Sequence, residues 1–247
     1  MKTALSYPAE MIRCQDRGRF LTTLFAPSDL REDLFALHAF AMELSQVRIK
    51  AREPIARLIR LQWWRDVLGA VDDAGRAPSG HPVAEALAAA VTRHRLSRGP
   101  LEGVVDAWEE ALERETAPDA PALIALAETT CLPLAAPALA ILGVDDGRTA
   151  RAVERVAVAW GMAGLLRTAP APAVAGLAAG AEALVAEARR DHGRVPRAAL
   201  PLLLPARLLD GYLERSRRRG YAADELERGW RHPGVLRLLL AYGLARF

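Results

Sequence analysis

The chain has 247 residues, 51% hydrophobic and 26% charged, with a mean hydropathy of +0.05; this supplies apolar material for one sizeable core and excludes a disordered chain. Its two cysteines, Cys14 and Cys131, lie 117 positions apart, which excludes a disulfide scaffold, a CxxC metal knuckle and a redox pair and suits a reducing compartment. The formal charge is +3 and the pI about 9.2, with Lys2 and Lys50 the only lysines. That balance admits an anionic lipid or a diphosphate, but it lacks the dense basic stripe of a nucleic-acid binder, so no nucleic-acid partner is expected.

The N-terminal MKTALSYPAEMIRCQDRGRF has no apolar stretch of the kind a secretory signal needs. The longest apolar run, Cys131 to Val144, is 14 residues with two prolines inside, short of the roughly 20 that span a membrane. The expected location is cytoplasmic, with at most peripheral contact to the inner membrane.

Apolar residues recur at helical spacing almost throughout, and β-branched alternation is scarce, so the class is all-α. In chain order the pattern predicts helices over 8–25, 29–49, 53–73, 81–96, 100–116, 119–143 (broken at Pro133), 147–168, 173–192, 197–219, 222–230 and 233–246. Asp29 with Glu32 has capping-box spacing, Gly80-His81-Pro82 opens the fourth helix, and Gly143 closes a helix before Asp145 and Asp146 start the next. Residues 74–80 read as a loop and 169–173 as a turn. Without repeats, low-complexity tracts or a Gly/Ser linker, residues 1–247 read as one domain.

Chemistry-bearing patterns are few. The histidines are scattered at His38, His81, His94, His192 and His232, with no HExxH or ExxH pair, and His81 with Glu85 suits a helix start better than a metal. A nucleophile elbow, a Walker loop and a GxGxxG are absent. Asp106, Glu109, Glu110 and Glu113 lie along one helix side and read as a solvated face paired with Arg114. The doublets Asp72-Asp73 and Asp145-Asp146 suit helix ends, and Asp29 with Asp33 forms a DxxxD in which Asp29 is the expected cap. Arg215, Arg217, Arg218 and Arg219 close a helix, where cations favour the dipole. Trp63 and Trp64 cannot face the same way, so one is expected in the core and the other over an interface or pocket.

Three segments together resemble the squalene/phytoene synthase superfamily. The stretch DRGRFLTTLFAPSDLREDLFALHAFAMELSQV carries Phe20, Pro27, Arg31, Ala36, Leu37, Ala39 and Phe40 in the pattern that leads into a family helix of the type ALYAFCRxxDD. LQWWRDVL at 61–68 is similar to the tryptophan helix, AWGMAGLLRT at 159–168 to the helix ending NILRD, and CLPLAAPALAILG at 131–143 to a small-residue helix pair. The resemblance covers roughly residues 16–168 and implies an isoprenoid-synthase-like helical bundle around a central cavity. Phe20, Arg31, Phe40, Trp63 and Trp64 read as fold determinants.

In the family's enzymes two aspartate-rich motifs on facing helices hold Mg²⁺ against prenyl diphosphates. The resemblance places Ser45 and Gln46 at the first aspartate pair, Met42 at the phosphate-binding arginine before it, and Thr168 at the aspartate after the retained Arg167. Hydroxyl and amide groups can hydrogen-bond an anion or headgroup but cannot hold a metal cluster. One branch shows the same substitutions, that of the mitochondrial complex I assembly factor and its alphaproteobacterial relatives. The resemblance therefore implies a catalytically inactive fold used for binding or respiratory-complex assembly at a membrane, with no cofactor. Its partner would be an isoprenoid-like lipid or a respiratory-complex subunit, and its cavity residues Arg167, Thr168, Ser45, Gln46 and Met42. Two other readings stay open: an active prenyl-diphosphate transferase recruiting Mg²⁺ through Asp16 or the 106–113 carboxylates, and a peripheral membrane protein using the arginines at 215–219 and an exposed tryptophan.

Overall fold

The structure, a computed structural model, describes residues 5–51, 53–74, 80–113, 119–190, 195–231, 235–244 and 247. The helix ends expected at 116, 192 and 246, most of the 74–80 loop, and Arg114 lie outside those residues. The regular elements among the described residues are all helices, with no strand.

Ser6 caps α1 (Tyr7–Gln15), its Oγ accepting the Ala9 N–H at 3.2 Å. The single helix expected over 8–25 breaks at Asp16. This residue leaves helical geometry (φ −137°, ψ 73°) and caps α2 (Arg17–Thr23) by accepting the Arg19 N–H at 2.9 Å. The next helix starts later than expected: α3 (Arg31–Ser45) has Leu30 at its cap position and no side-chain cap, so Asp29 sits in the preceding turn. Asp33 instead is buried, accepting from Arg93 Nη1 on both oxygens at 2.7 Å and pairing with His94 Nε2 at 2.8 Å. Gln46 ends α3, and α4 (Val47–Lys50) is a separate turn.

Then come α5 (Pro54–Ala74), α6 (Pro82–His94) and α7 (Arg98–Glu113). Asp72 and Asp73 fall in the last turn of α5, with their side chains outside the described part. His81 caps α6 through Nδ1, which accepts the Ala84 N–H at 3.3 Å, and Glu85 turns back to the Gly80 N–H at 2.6 Å, which commits both groups to the helix start. The break at Pro133 is a 3₁₀ turn, Leu132–Leu134, between α8 (Ala120–Cys131) and α9 (Ala135–Ile141), and Gly143 at φ +64° follows α9.

Asp146 caps α10 (Gly147–Leu165), accepting the Thr149 N–H at 2.9 Å, and α11 spans Ala171–Arg190. The helix expected over 197–219 is three pieces: a 3₁₀ turn Arg197–Ala199, α12 (Leu200–Leu203) and α13 (Pro205–Arg218). Pro201 and Pro205 each lack the N–H that would carry one helix through. α14 (Ala223–Arg231) and α15 (Val235–Gly243) complete the order.

Two apolar cores form. In the first, α3 packs on α1 and α6, and α5 on α7, burying Leu34, Phe35, Phe40, Leu61 and Trp64. Phe40 and Trp64 meet edge to face at 5.0 Å, and Phe20 stacks on Phe35 at 5.4 Å. In the second, α10 is the centre, packed on α8, α11 and α13 through Val156, Met162, Leu177 and Leu209. Leu202 and Val144 touch both. Each fully buried Leu, Phe or Met contributes about 1.5–3 kcal/mol. Two helical stretches, Ala120–Ile141 and Ala171–Arg190, are long and apolar enough to cross a membrane, where the sequence pattern gave none. Both pack against α10, and the first contains the 3₁₀ turn.

Candidate functional site

A cavity of ≈400 Å³ opens between α1, α3, α8 and α10, within the size range of small-molecule sites. Its rim holds all five residues expected there: Met42, Ser45 and Gln46 from the end of α3, and Arg167 and Thr168 just past α10. The chain thus brings together groups more than 120 positions apart.

Their local bonding differs. Ser45 Oγ donates to the Met42 carbonyl at 2.8 Å, and Thr168 Oγ1 to the Leu165 carbonyl at 3.3 Å. Gln46 Nε2 donates to Gln15 Oε1, which ties α3 to the end of α1. Arg167 is partly exposed, and its Nε pairs with Glu227 of α14 at 3.0 Å. The sequence presents Arg167 as the retained polar group of the cavity; the structure adds Glu227 and a deeper polar set.

That deeper set is Asp16, Arg19 and His38. Asp16 is 3% exposed; its Oδ2 accepts the Trp160 indole N–H at 2.9 Å and faces Arg19 Nε at 3.5 Å. Burial pushes the Asp16 carboxyl above its usual range, against the opposing pull of Arg19 and the Trp160 N–H. Arg19 Nη1 also lies 3.4 Å from His38 Nδ1. Burial, with the Arg19 charge beside it, holds His38 well below the ordinary imidazole value, so the ring is neutral, accepts from Arg19 at Nδ1 and carries its hydrogen on Nε2. Cys131 also lines the cavity, and burial pushes its thiol up, which disfavours the nucleophilic thiolate.

Small residues set the wall. A Cβ on Gly161 would collide with Cys131 Sγ, so the glycine lets α10 approach α8 closely. Trp160, Trp108, Leu134 and Leu165 supply apolar surface. The cavity therefore has a buried polar floor, an apolar wall and a rim of neutral hydrogen-bonding groups with one ion pair, which suits an amphiphilic ligand with its polar end inward or at the rim.

The other predicted groups lie elsewhere. Among the described residues, Arg65 of α5 binds two of the 106–113 carboxylates, Asp106 at 2.7 Å and also Glu109, and so pins α7 to α5. At the end of α13, Arg218 Nε meets Glu214 at 2.7 Å, Arg217 pairs with Glu214 too, and Glu182 lies 3.5 Å from Arg217. Trp64 is buried while Trp63 is half-buried against His81 at 4.7 Å. No group of three His, Cys, Asp or Glu side chains among the described residues is arranged to hold a metal ion.

Sequence reasoning missed Asp16, Arg19 and His38 as a unit. The available signal was Asp16 three residues before Arg19, the spacing of a cap and its ion pair, read instead as helix interior.

The family model for squalene/phytoene synthase matches residues 12–173. The chain belongs to the squalene/phytoene synthase family. The match covers all five rim residues and the whole polar floor. The fold agrees with the crystal structure of squalene synthase HpnC from Alicyclobacillus acidocaldarius, at a TM-score of 0.68 and 20% identity over 87% of this chain and 93% of that one. Similar curated proteins carry the name NADH dehydrogenase (ubiquinone) complex I, assembly factor 6. The Bos taurus protein is 33% identical over 165 residues, 66% of this chain and 49% of its own length. The Rattus norvegicus protein is 28% identical over 86% of this chain and 73% of its own length. The chain spans about half the length of the first of these family members.

Proposed function

We propose that this chain is a catalytically silent member of its family that serves the assembly of a respiratory NADH:ubiquinone oxidoreductase at the inner face of a membrane. Its cavity would hold an isoprenoid-like lipid or a segment of a respiratory-complex subunit, without a metal cofactor. The observation that carries the reading is the rim itself. Ser45, Gln46 and Thr168 meet at one cavity, and these are the positions at which the family resemblance puts metal-binding aspartates. A departing diphosphate carries several negative charges, and neutral hydroxyls and an amide cannot replace the cation clamp that stabilises it. Of the carboxylates offered as substitutes, Asp16 is committed to Arg19 and Trp160, and Asp106 and Glu109 to Arg65. The names of the relatives support the assembly role.

Cells lacking this chain are expected to lose most of their NADH:ubiquinone oxidoreductase activity and to regain it with the wild-type chain. Ser45→Phe, which fills the rim of the cavity, should restore little although the variant melts like wild type. Full activity in the deleted cells would overturn the assembly reading.

A further inference from the structure

α5 has reversed polarity over its first two turns. Its buried residues Leu61, Trp64, Leu68 and Val71 recur three and four positions apart and mark the inward face. Ile55, Ile59, Gln62 and Asp66 share the outward face. Gln62 and Asp66 hydrogen-bond to each other at 2.8 Å, as a solvated face allows, whereas Ile55 and Ile59 are 69% and 62% exposed. Leu58 lies exposed beside them, and Ile49 of α4, 76% exposed, lines the cavity.

Cations flank these aliphatic side chains. Arg48, Lys50 and Arg60 are exposed, with Lys50 also meeting Glu43 at 3.0 Å. The sequence from 48 to 60 carries five cations and one carboxylate, a net +4 in a chain of net +3, so everything else together is net −1. The chain's positive charge is thus concentrated on a segment that also exposes Ile49, Ile55, Leu58 and Ile59.

We infer that this α4–α5 face seats the protein on the anionic surface of a lipid bilayer. The inference deepens the membrane part of the proposed function and rests on it. Exposed aliphatic side chains with exposed Arg and Lys in the same segment match the interfacial region of an anionic membrane, where the chains enter the acyl boundary and the cations meet phosphates. A protein-binding hot spot would be expected to centre on aromatic anchors, and none of the exposed residues here is aromatic. Ile49 places the cavity rim beside the seated face, so an apolar-tailed ligand would pass between bilayer and cavity without crossing bulk water.

The test is co-sedimentation of the full chain with mixed phosphatidylcholine–phosphatidylglycerol vesicles and with phosphatidylcholine alone. Wild type should bind the mixed vesicles and not the neutral ones. Each cation near such a surface is worth about fivefold in partitioning, so Arg48→Ser with Arg60→Ser should weaken binding about 25-fold. Ile55→Asp with Ile59→Asp should abolish binding without changing the melting temperature, both positions being exposed. Leu239→Asp with Leu240→Asp, on the exposed part of α15, should bind like wild type. Binding that survives at Ile55 and Ile59 but fails at Leu239 and Leu240 would overturn this face and leave the membrane reading standing. Absence of vesicle binding by wild type, with self-association that requires Ile55 and Ile59, would overturn the inference in favour of a protein contact.

Discussion

Asp16→Ala is expected to lower folding stability by about 3–5 kcal/mol, the range for stripping one partner from a buried ion pair. The carboxylate serves three donors at once: the Arg19 N–H at the start of α2, the Trp160 indole N–H at 2.9 Å, and the Arg19 guanidinium at 3.5 Å. Losing the cap alone costs about 0.5–2 kcal/mol, and a buried indole N–H left without an acceptor about 1–3 kcal/mol. These losses overlap because all three donors lose the same group. Asp16→Asn keeps an acceptor for the cap and the indole while removing the charge opposite Arg19, so it should fall between alanine and wild type. Urea unfolding of the three chains gives the ordering directly. A loss below about 1 kcal/mol for Asp16→Ala would mean that α1, α2 and α10 are not held through this residue.

Gly18→Ala is expected to cost about 1–3 kcal/mol, although alanine is the better helix former. A Cβ at Gly18 of α2 would sit 2.5 Å from Trp160 Cζ2 and 3.2 Å from Leu208 Cδ1, so something must move. The indole cannot swing aside freely, because its N–H is fixed on Asp16. The cost should therefore shrink in an Asp16→Ala background, where the ring is released, and the double variant should be less destabilised than the two single effects added together. Strict additivity in the unfolding free energies would argue that Trp160 is not anchored by Asp16.

Much of the fold was legible because the helical period is strong in this chain and few residues argue against it. Pro133 announced its own break, Gly143 its helix end, and Asp146 its cap. Apart from the proline breaks, the departures share one physical cause: a local signal without its tertiary partner. Asp16 looked like one polar residue in a continuous helix, yet it acts as a cap because Trp160, 144 positions away, meets its other oxygen. Asp29 had the spacing of a cap, but the turn before Arg31 left it outside the helix, while Asp33 found its partners on α6. Pro201 and Pro205 fall inside the helix expected over 197–219 and divide it into α12 and α13. For the 106–113 carboxylates no sequence rule selects Arg65, since the pairing exists only once α5 and α7 lie side by side.

The site was legible in a different way. Met42, Ser45, Gln46, Arg167 and Thr168 came from family resemblance, and the fold does bring them to one cavity. Its depth was not legible, because Arg19 and His38 lie on different helices and neither belongs to a chemical motif. The Arg167–Glu227 pair depends on α14 folding back beside the end of α10, a contact that spacing cannot foretell.

The most direct test of the central claim, a synthase fold without the synthase's cation chemistry, is diphosphate release from farnesyl and geranylgeranyl diphosphate by the purified chain in Mg²⁺ or Mn²⁺. Arg167→Ala serves as the paired control. The rim of Ser45, Gln46 and Thr168 predicts release no greater than a protein-free blank, with or without metal. Metal-dependent release that disappears in Arg167→Ala would contradict the account and require a cation site built from other carboxylates.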